Sequence, residues 1–167
     1  MRVGYLISQY PKVSHTFIQR EVAGLRELGF DITTISIRGT SPGDLLTEVD
    51  REEAARTRVV IPSRWSVGAL GRIAGAMLMA AGHPWRLVRA ARTAWSLRRP
   101  GLRGAVWAWF YLVEAAIVHR WCAREGIRHL HAHFANVGCD VAMIATVLNE
   151  GQGSATFSFT MHGPTEL

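Results

Sequence analysis

Lysine is nearly missing from this 167-residue chain: Lys12 is the only one, and arginine supplies the rest of the positive charge. Acidic residues are missing from a whole stretch, with none between Glu53 and Glu114, while ten arginines from Arg56 to Arg103 fall inside it. Such a zone attracts phosphate, whether on nucleic acid, on anionic lipid or on a lipid-diphosphate carrier. Arginine dominates everywhere else too, so part of this bias carries base composition rather than function. Cysteine is scarce. Cys122 and Cys139 form no C-x-x-C pair, which excludes a disulfide framework and fits a reducing compartment. Long hydrophobic runs are absent as well. Val67 to Ala81 is broken by Arg72 and Ala105 to Val118 by Glu114, short of the roughly 18–20 apolar residues a spanning helix needs. Val3 to Ile7 is too short for the apolar centre of a signal peptide. The expected location is therefore cytoplasmic, with peripheral attachment at the inner face of the plasma membrane as an extension of that reading. The glycine fingerprint G-x-G-x-x-G is missing, which argues against an ordinary tight dinucleotide site and a nucleotide-binding regulator.

What remains is an ordinary globular composition, 49% hydrophobic and 19% charged, which argues against disorder. A chain of this size buries roughly 70% of its unfolded surface, enough for one domain with a real core. Val3 to Ile7 is a short apolar run ending in Ser8-Gln9-Tyr10-Pro11 and predicts a buried first strand. Ser14 is placed to cap a helix running to about Leu28, with Ile18, Val22, Leu25 and Leu28 at helical spacing and Gly29 as the stop. Asp31 to Ile37 predicts a second strand, and strand, helix, strand makes a right-handed βαβ unit. A short helix is expected over Leu45 to Arg56 and a third strand over Arg58 to Ile61. Three helices follow at about 66–81, 85–98 and 103–125, then a fourth strand at Arg128 to His131, a helix at Val137 to Leu148 and a fifth strand at Ala155 to Thr160. The alternation predicts an α/β fold, a Rossmann-like parallel sheet with helices on both faces. The chain stops at Leu167, soon after the fifth strand, where a doubly wound domain usually adds more; the expectation is a piece of a larger protein.

Ligands of open parallel sheets bind beyond the carboxyl ends of the strands. Three segments land there: Ser8 to Thr16, His131 to Gly138 and Thr160 to Glu166. Ser14 and Thr16 sit where a helix amino terminus can seat a phosphate or where they simply cap the helix. His129, His131 and His133 alternate and would share a face if all three lay on one strand, although the run straddles the expected strand end; they suit metal ligands or a mix of packing and cleft-facing hydrogen bonds, and no acidic or cysteine ligand is near them in sequence. His162, ahead of Gly163-Pro164, stands on a rigid loop from which it can bond a sugar hydroxyl or carry a proton. Six tryptophans, Trp65, Trp85, Trp95, Trp107, Trp109 and Trp121, share the helical region with the arginines. They suit a membrane interface, or else they fill the core behind a solvated basic face. No recognised nucleic-acid reader accompanies the charge, and nucleic acid is not an expected partner.

Taken together, Tyr5-Leu6-Ile7-Ser8-Gln9-Tyr10-Pro11 with Thr16-Phe17-Ile18-Gln19-Arg20-Glu21, His129-Leu130-His131-Ala132-His133-Phe134-Ala135-Asn136, and Phe157-Ser158-Phe159-Thr160 with His162-Gly163-Pro164-Thr165-Glu166 resemble the amino-terminal domain of family 4 glycosyltransferases. The likeness is greatest to the exopolysaccharide type, including colanic acid biosynthesis enzymes, and covers essentially the whole chain. It implies half of a GT-B fold: residues 1–167 as the acceptor-side domain, with a carboxy-terminal domain binding the nucleotide-sugar donor. It implies a retaining hexosyl transfer without a bound metal or cofactor. His162 would lie beside the transferred sugar as the catalytic-site histidine, and Ser8, Ser14, Thr16 and Gly163 would border the donor. His133, Asn136, His15 and Glu166 would line the acceptor side, the acceptor being a sugar carried on a polyprenyl diphosphate. The family pattern usually has Ser-Glu-Thr-Phe where this chain has Ser14-His15-Thr16-Phe17, so a cleft carboxylate is replaced by a histidine. Met161 stands where a small residue is usual, and Leu167 replaces a common phenylalanine. The donor domain lies outside this chain, so the chain alone is expected to be inactive. The alternative is a truncated, non-catalytic module that binds glycan or a partner.

Overall fold

In the computed structural model, which describes residues 2–62, 66–151 and 155–162, five strands form one sheet in the order β3-β2-β1-β4-β5. The strands are β1 (Arg2–Gln9), β2 (Asp31–Arg38), β3 (Arg58–Ile61), β4 (Ile127–His133) and β5 (Thr156–Thr160). Every pairing is parallel, so each strand return crosses over through helix. Those helices are α1 (Thr16–Glu27), α2 (Glu48–Arg56), α3 (Val67–Ala81), α4 (Pro84–Leu97), α5 (Leu102–Glu125) and α6 (Val137–Asn149). The expected Rossmann-like α/β architecture is what forms. β1 and β4 are the central neighbours at which the winding direction reverses, the place where such sheets bind ligands.

Helix boundaries follow local chemistry. Gly29 at φ 86° and Gly126 at φ 68° take the left-handed conformation that closes α1 and α5. Thr47 and Asp50 form a reciprocal capping box on α2, Ser66 accepts from Ala69 N to start α3, and Asn136 accepts from Gly138 N to start α6. The expected cap at Ser14 does not form. A 3-10 turn at Val13–His15 leads into α1, whose preceding residue is His15, with no side-chain cap bond. The Tyr10-Pro11 peptide just before this turn is cis.

Side chains alternate between two clusters along each strand. Leu6, Ile35, Ile37, Leu130 and Ala132 point to one face, where α5 and α6 lie on the sheet. α3 and α4 pack on α5 and α6 through Ala76, Ala80, Ala90 and Ala94, small residues that allow close helix approach. Gly4 belongs to this side: a Cβ there would meet the Leu130 side chain at 2.8 Å. Val3, Tyr5, Ile7 and Ile32 point to the other face, under Ile18 and Val22 of α1. α2 joins that side through Glu53, which pairs with Arg26 at 2.6 Å and accepts from Thr34 at 3.0 Å. No described helix is long and apolar enough to cross a membrane.

Candidate functional site

The carboxyl ends of β1, β4 and β5 meet around a cluster of imidazoles and phenyl rings. β4 runs through His133, so the three alternating histidines do share one strand face, against Tyr5 of β1. Their register with β5 sets His129 beside Thr156, His131 beside Ser158 and His133 beside Thr160. His129 contacts the hydroxyls of Thr156 at 2.7 Å and Ser158 at 2.8 Å, and His131 contacts Ser158 at 2.8 Å and Thr160 at 3.3 Å. This ladder gives the first two histidines hydrogen-bonding work within the sheet.

His133 is different. It is 1% exposed, its Nδ1 lies 2.8 Å from Nε2 of His162, and the two rings stack at 5.1 Å. Nε2 of His133 points at Oε2 of Glu21, 3.4 Å away, without forming a hydrogen bond. The other oxygen of Glu21 accepts from Tyr5 Oη at 2.7 Å. A chain of polar contacts thus runs Tyr5, Glu21, His133, His162, from beneath α1 to the exposed His162. Burial lowers the His133 pKa to about 4, with Glu21 opposing the shift, so the ring is neutral at physiological pH. Burial also lowers His131. For Tyr5, burial first and Glu21 second push the phenol upward.

Phe17, Phe134 and His15 wall the cluster. Phe17 sits 4.7 Å from His162, Phe134 sits 5.0 Å from it, and His15 lies 5.3 Å from Phe134. Phe134 takes φ 72°, a left-handed conformation costly for a bulky side chain, and donates its N–H to Thr160 O at 2.9 Å. An aromatic residue held this way at a strand end is an observed strain at the site. Asn136, just beyond, ties the sheet ends together: its Nδ2 reaches Ser8 Oγ at 3.5 Å while Oδ1 caps α6. Gly138 permits this, since a Cβ there would press on Leu6 O and Ser8 N at 3.3 Å each.

The fold therefore gathers Ser8, His15, His133, Asn136 and His162. Ser14 and Thr16 stay exposed on the entry to α1, and Gly163 and Glu166 lie outside the described residues. His133 and His15 are buried and reach the cleft only through the rings against them. Glu21, Tyr5, Phe17 and Phe134 were not singled out as site residues, although all lie within motif blocks. Glu21 was invisible because it is 112 residues from His133 and meets it only when α1 is laid over β4. Glu21, His131 and His133 also bring three ligand atoms within 4.8 Å of one another, a set of donors that suits a divalent transition metal. The structure thus supplies the carboxylate that sequence proximity lacked.

A second cavity, of about 750 Å³, opens on the α5–α6 side of the same strand ends. It is lined by Arg98 and Arg99 from the α4–α5 turn, by Arg103, Trp107 and Tyr111 of α5, and by Phe134 to Val137 and Asp140. Burial raises the carboxyl of Asp140. Trp85, Trp95, Trp107 and Trp109 are exposed, whereas Trp65 lies outside the described residues. The tryptophans of α4 and the first half of α5 therefore do not fill the core. Comparison of the chain with family models, curated proteins and solved structures finds no match in any of the three.

Proposed function

We propose that this chain is the acceptor-side domain of a retaining, nucleotide-sugar-dependent glycosyltransferase that builds an exopolysaccharide or cell-surface glycan. The observation that carries the reading is the pairing of His133 with His162 at the switch point of the parallel sheet, between the faces of Phe17 and Phe134. Sugars are bound by such combinations, apolar ring faces against C–H surfaces and a few fixed polar groups for hydroxyls. His133, neutral and buried against Tyr5, fixes the orientation of His162 through the contact of its Nδ1 with His162 Nε2. His162 then meets a hydroxyl of the transferred sugar, with Ser8 and Asn136 alongside. The donor is held by a separate carboxy-terminal domain closing over these strand ends. Phe17 faces the acceptor, with the buried His15 behind it.

The arginine-rich α4 and α5, with Trp85, Trp95, Trp109 and Leu102 exposed, fit docking on an anionic membrane face. That would present a polyprenyl-diphosphate-linked acceptor, each arginine near the surface contributing about 1 kcal/mol.

The test uses the natural polypeptide that contains this chain, assayed with nucleotide-sugars and membrane-extracted acceptors. His162→Ala is expected to lower kcat/KM at least about 100-fold with the fold intact, the size usual for a lost group at the reacting centre. Full transfer by that variant, or no transfer by the wild type with any nucleotide-sugar, overturns the reading and leaves a glycan-binding module.

A further inference from the structure

We propose that Glu21, His131 and His133 bind a divalent transition-metal ion of the Zn²⁺ class, between α1 and the face of β4. The observation that carries the inference is an orphaned nitrogen. His133 is buried, and its Nε2 has no hydrogen-bond partner. That nitrogen faces Oε2 of Glu21 at 3.4 Å. In the tautomer that donates Nδ1–H to His162, Nε2 turns a lone pair towards a carboxylate, so two electron-pair donors confront each other. A cation between them satisfies both. The spacing agrees, because an ion held tetrahedrally at about 2.0–2.1 Å keeps its ligand atoms roughly 3.3–3.4 Å apart.

The third ligand comes from the same strand face. The ring of His131 lies 5.0 Å from that of His133, at 81° to it, and one ligand atom from each of the three residues lies within 4.8 Å of the others. Each ligand also has the outer partner that holds a metal ligand in orientation. Tyr5 Oη donates to the other oxygen of Glu21 at 2.7 Å, and His162 Nε2 stands 2.8 Å from the other nitrogen of His133. His131 has a hydroxyl against each nitrogen, Ser158 at 2.8 Å and Thr160 at 3.3 Å, so yielding one to the ion leaves it the other. Two imidazoles and one carboxylate select Zn²⁺ or Co²⁺ over Mg²⁺, which prefers oxygen ligands and keeps its waters. The Glu21 side chain is 41% exposed, which gives the ion a way in from solvent. Three protein ligands leave the fourth position to water. Bound at Nε2, the ion fixes His133 as the tautomer whose Nδ1–H is aimed at His162.

This inference goes beyond the glycosyltransferase reading and does not rest on it: no transfer step runs through the ion, and a chain that transfers no sugar would bind it all the same. The natural polypeptide that contains this chain, stripped with EDTA, would be titrated with Zn²⁺ by calorimetry and with Co²⁺ by visible absorbance. Zn²⁺ is expected to bind and to raise the thermal transition, and Co²⁺ to give the intense bands of tetrahedral coordination. Glu21→Gln changes a part-exposed side chain and keeps an acceptor for Tyr5, so the fold should survive. It and His131→Gln are each expected to weaken Zn²⁺ binding at least about 100-fold, beyond the roughly 10–100-fold usual for a lost outer partner. Tyr5→Phe, which removes only such a partner, should weaken it about 10-fold, and His129→Ala should leave it unchanged. Absence of Zn²⁺ binding overturns the proposal, as does affinity that Glu21→Gln and His131→Gln leave untouched. Mg²⁺ binding as tightly as Zn²⁺ also overturns it, since that would be a site for any cation.

Discussion

Along β4 the face that carries Leu130 and Ala132 is sealed beneath α5 and α6, while the face that carries His129, His131 and His133 is only partly covered by α1. The sealed face is apolar and closely packed; among its buried residues only a few are polar or ionisable, among them Glu114 and His119 of α5, Asn149 of α6 and the thiols of Cys122 and Cys139. The part-open face is a sheet surface of imidazoles and hydroxyls joined by short hydrogen bonds between β4 and β5, with the Glu21 carboxylate of α1 bonded to Tyr5 above it. One strand thus serves stability and chemistry at once, because successive side chains point to opposite sides. Residues that differ by one position in sequence should behave differently under mutation.

The largest expected effect lies on the sealed face. Leu130→Ala removes a side chain that is 0% exposed and packs over Gly4, and should cost about 2–5 kcal/mol in urea unfolding. His131→Ala, the next residue, loses hydrogen bonds at a part-exposed position and should cost about 1 kcal/mol. Equal costs would mean that the two faces are not the separate regions described.

Next in size is the acid response of the part-open face. The His133 pKa is lowered in the fold to about 4, so the unfolded chain takes up a proton near the ordinary histidine value of about 6.5 while the folded chain does not. Stability from this group is present above that range and is lost as pH falls through it. Replacing His133 with Gln should flatten the stability profile between those two values by about 1–2 kcal/mol, measured by urea unfolding at several pH values. An unchanged acid limb would show that the burial of His133 is not what sets it.

Smallest of all is the strained residue between the two regions. Phe134→Gly relieves the left-handed backbone at φ 72° but gives up the ring against His15 and His162. The two effects oppose each other, and the net change in stability should stay within about 1 kcal/mol. A loss of several kcal/mol would make Phe134 a core residue rather than a site wall.

All five strands and six α-helices were legible in the sequence, because most strands are short β-branched or apolar runs and each helix has a glycine, proline or cap at an end. β3 matches its expected bounds, and the three long helices agree to within one residue at each end. β4 runs two residues further than expected, to His133, because pairing with β5 continues through Thr160. The start of α1 was missed for a tertiary reason: the chain leaves β1 buried at Tyr10, whose N–H donates to Ser36 Oγ, and enters the helix through a 3-10 turn.

The site was legible in part. Alternation placed His129 and His131 on one face, since a strand repeats every two residues, but His133 joins them only because pairing with β5 carries β4 two residues past its expected end. Nothing local could give their partners. Glu21 reaches His133 only across the α1–sheet interface, and Arg99 and Arg103 face a cavity only once the α4–α5 turn is closed on β4 and α6. Sequence by itself determined the alternation of elements, the apolar faces and the zone free of acidic residues, since those depend on side-chain type and period. The tertiary structure alone decided which face is sealed, which imidazole is buried and neutral, and which arginines remain unpaired among the described residues. Those properties depend on solvent exclusion and on contacts between residues far apart in the chain.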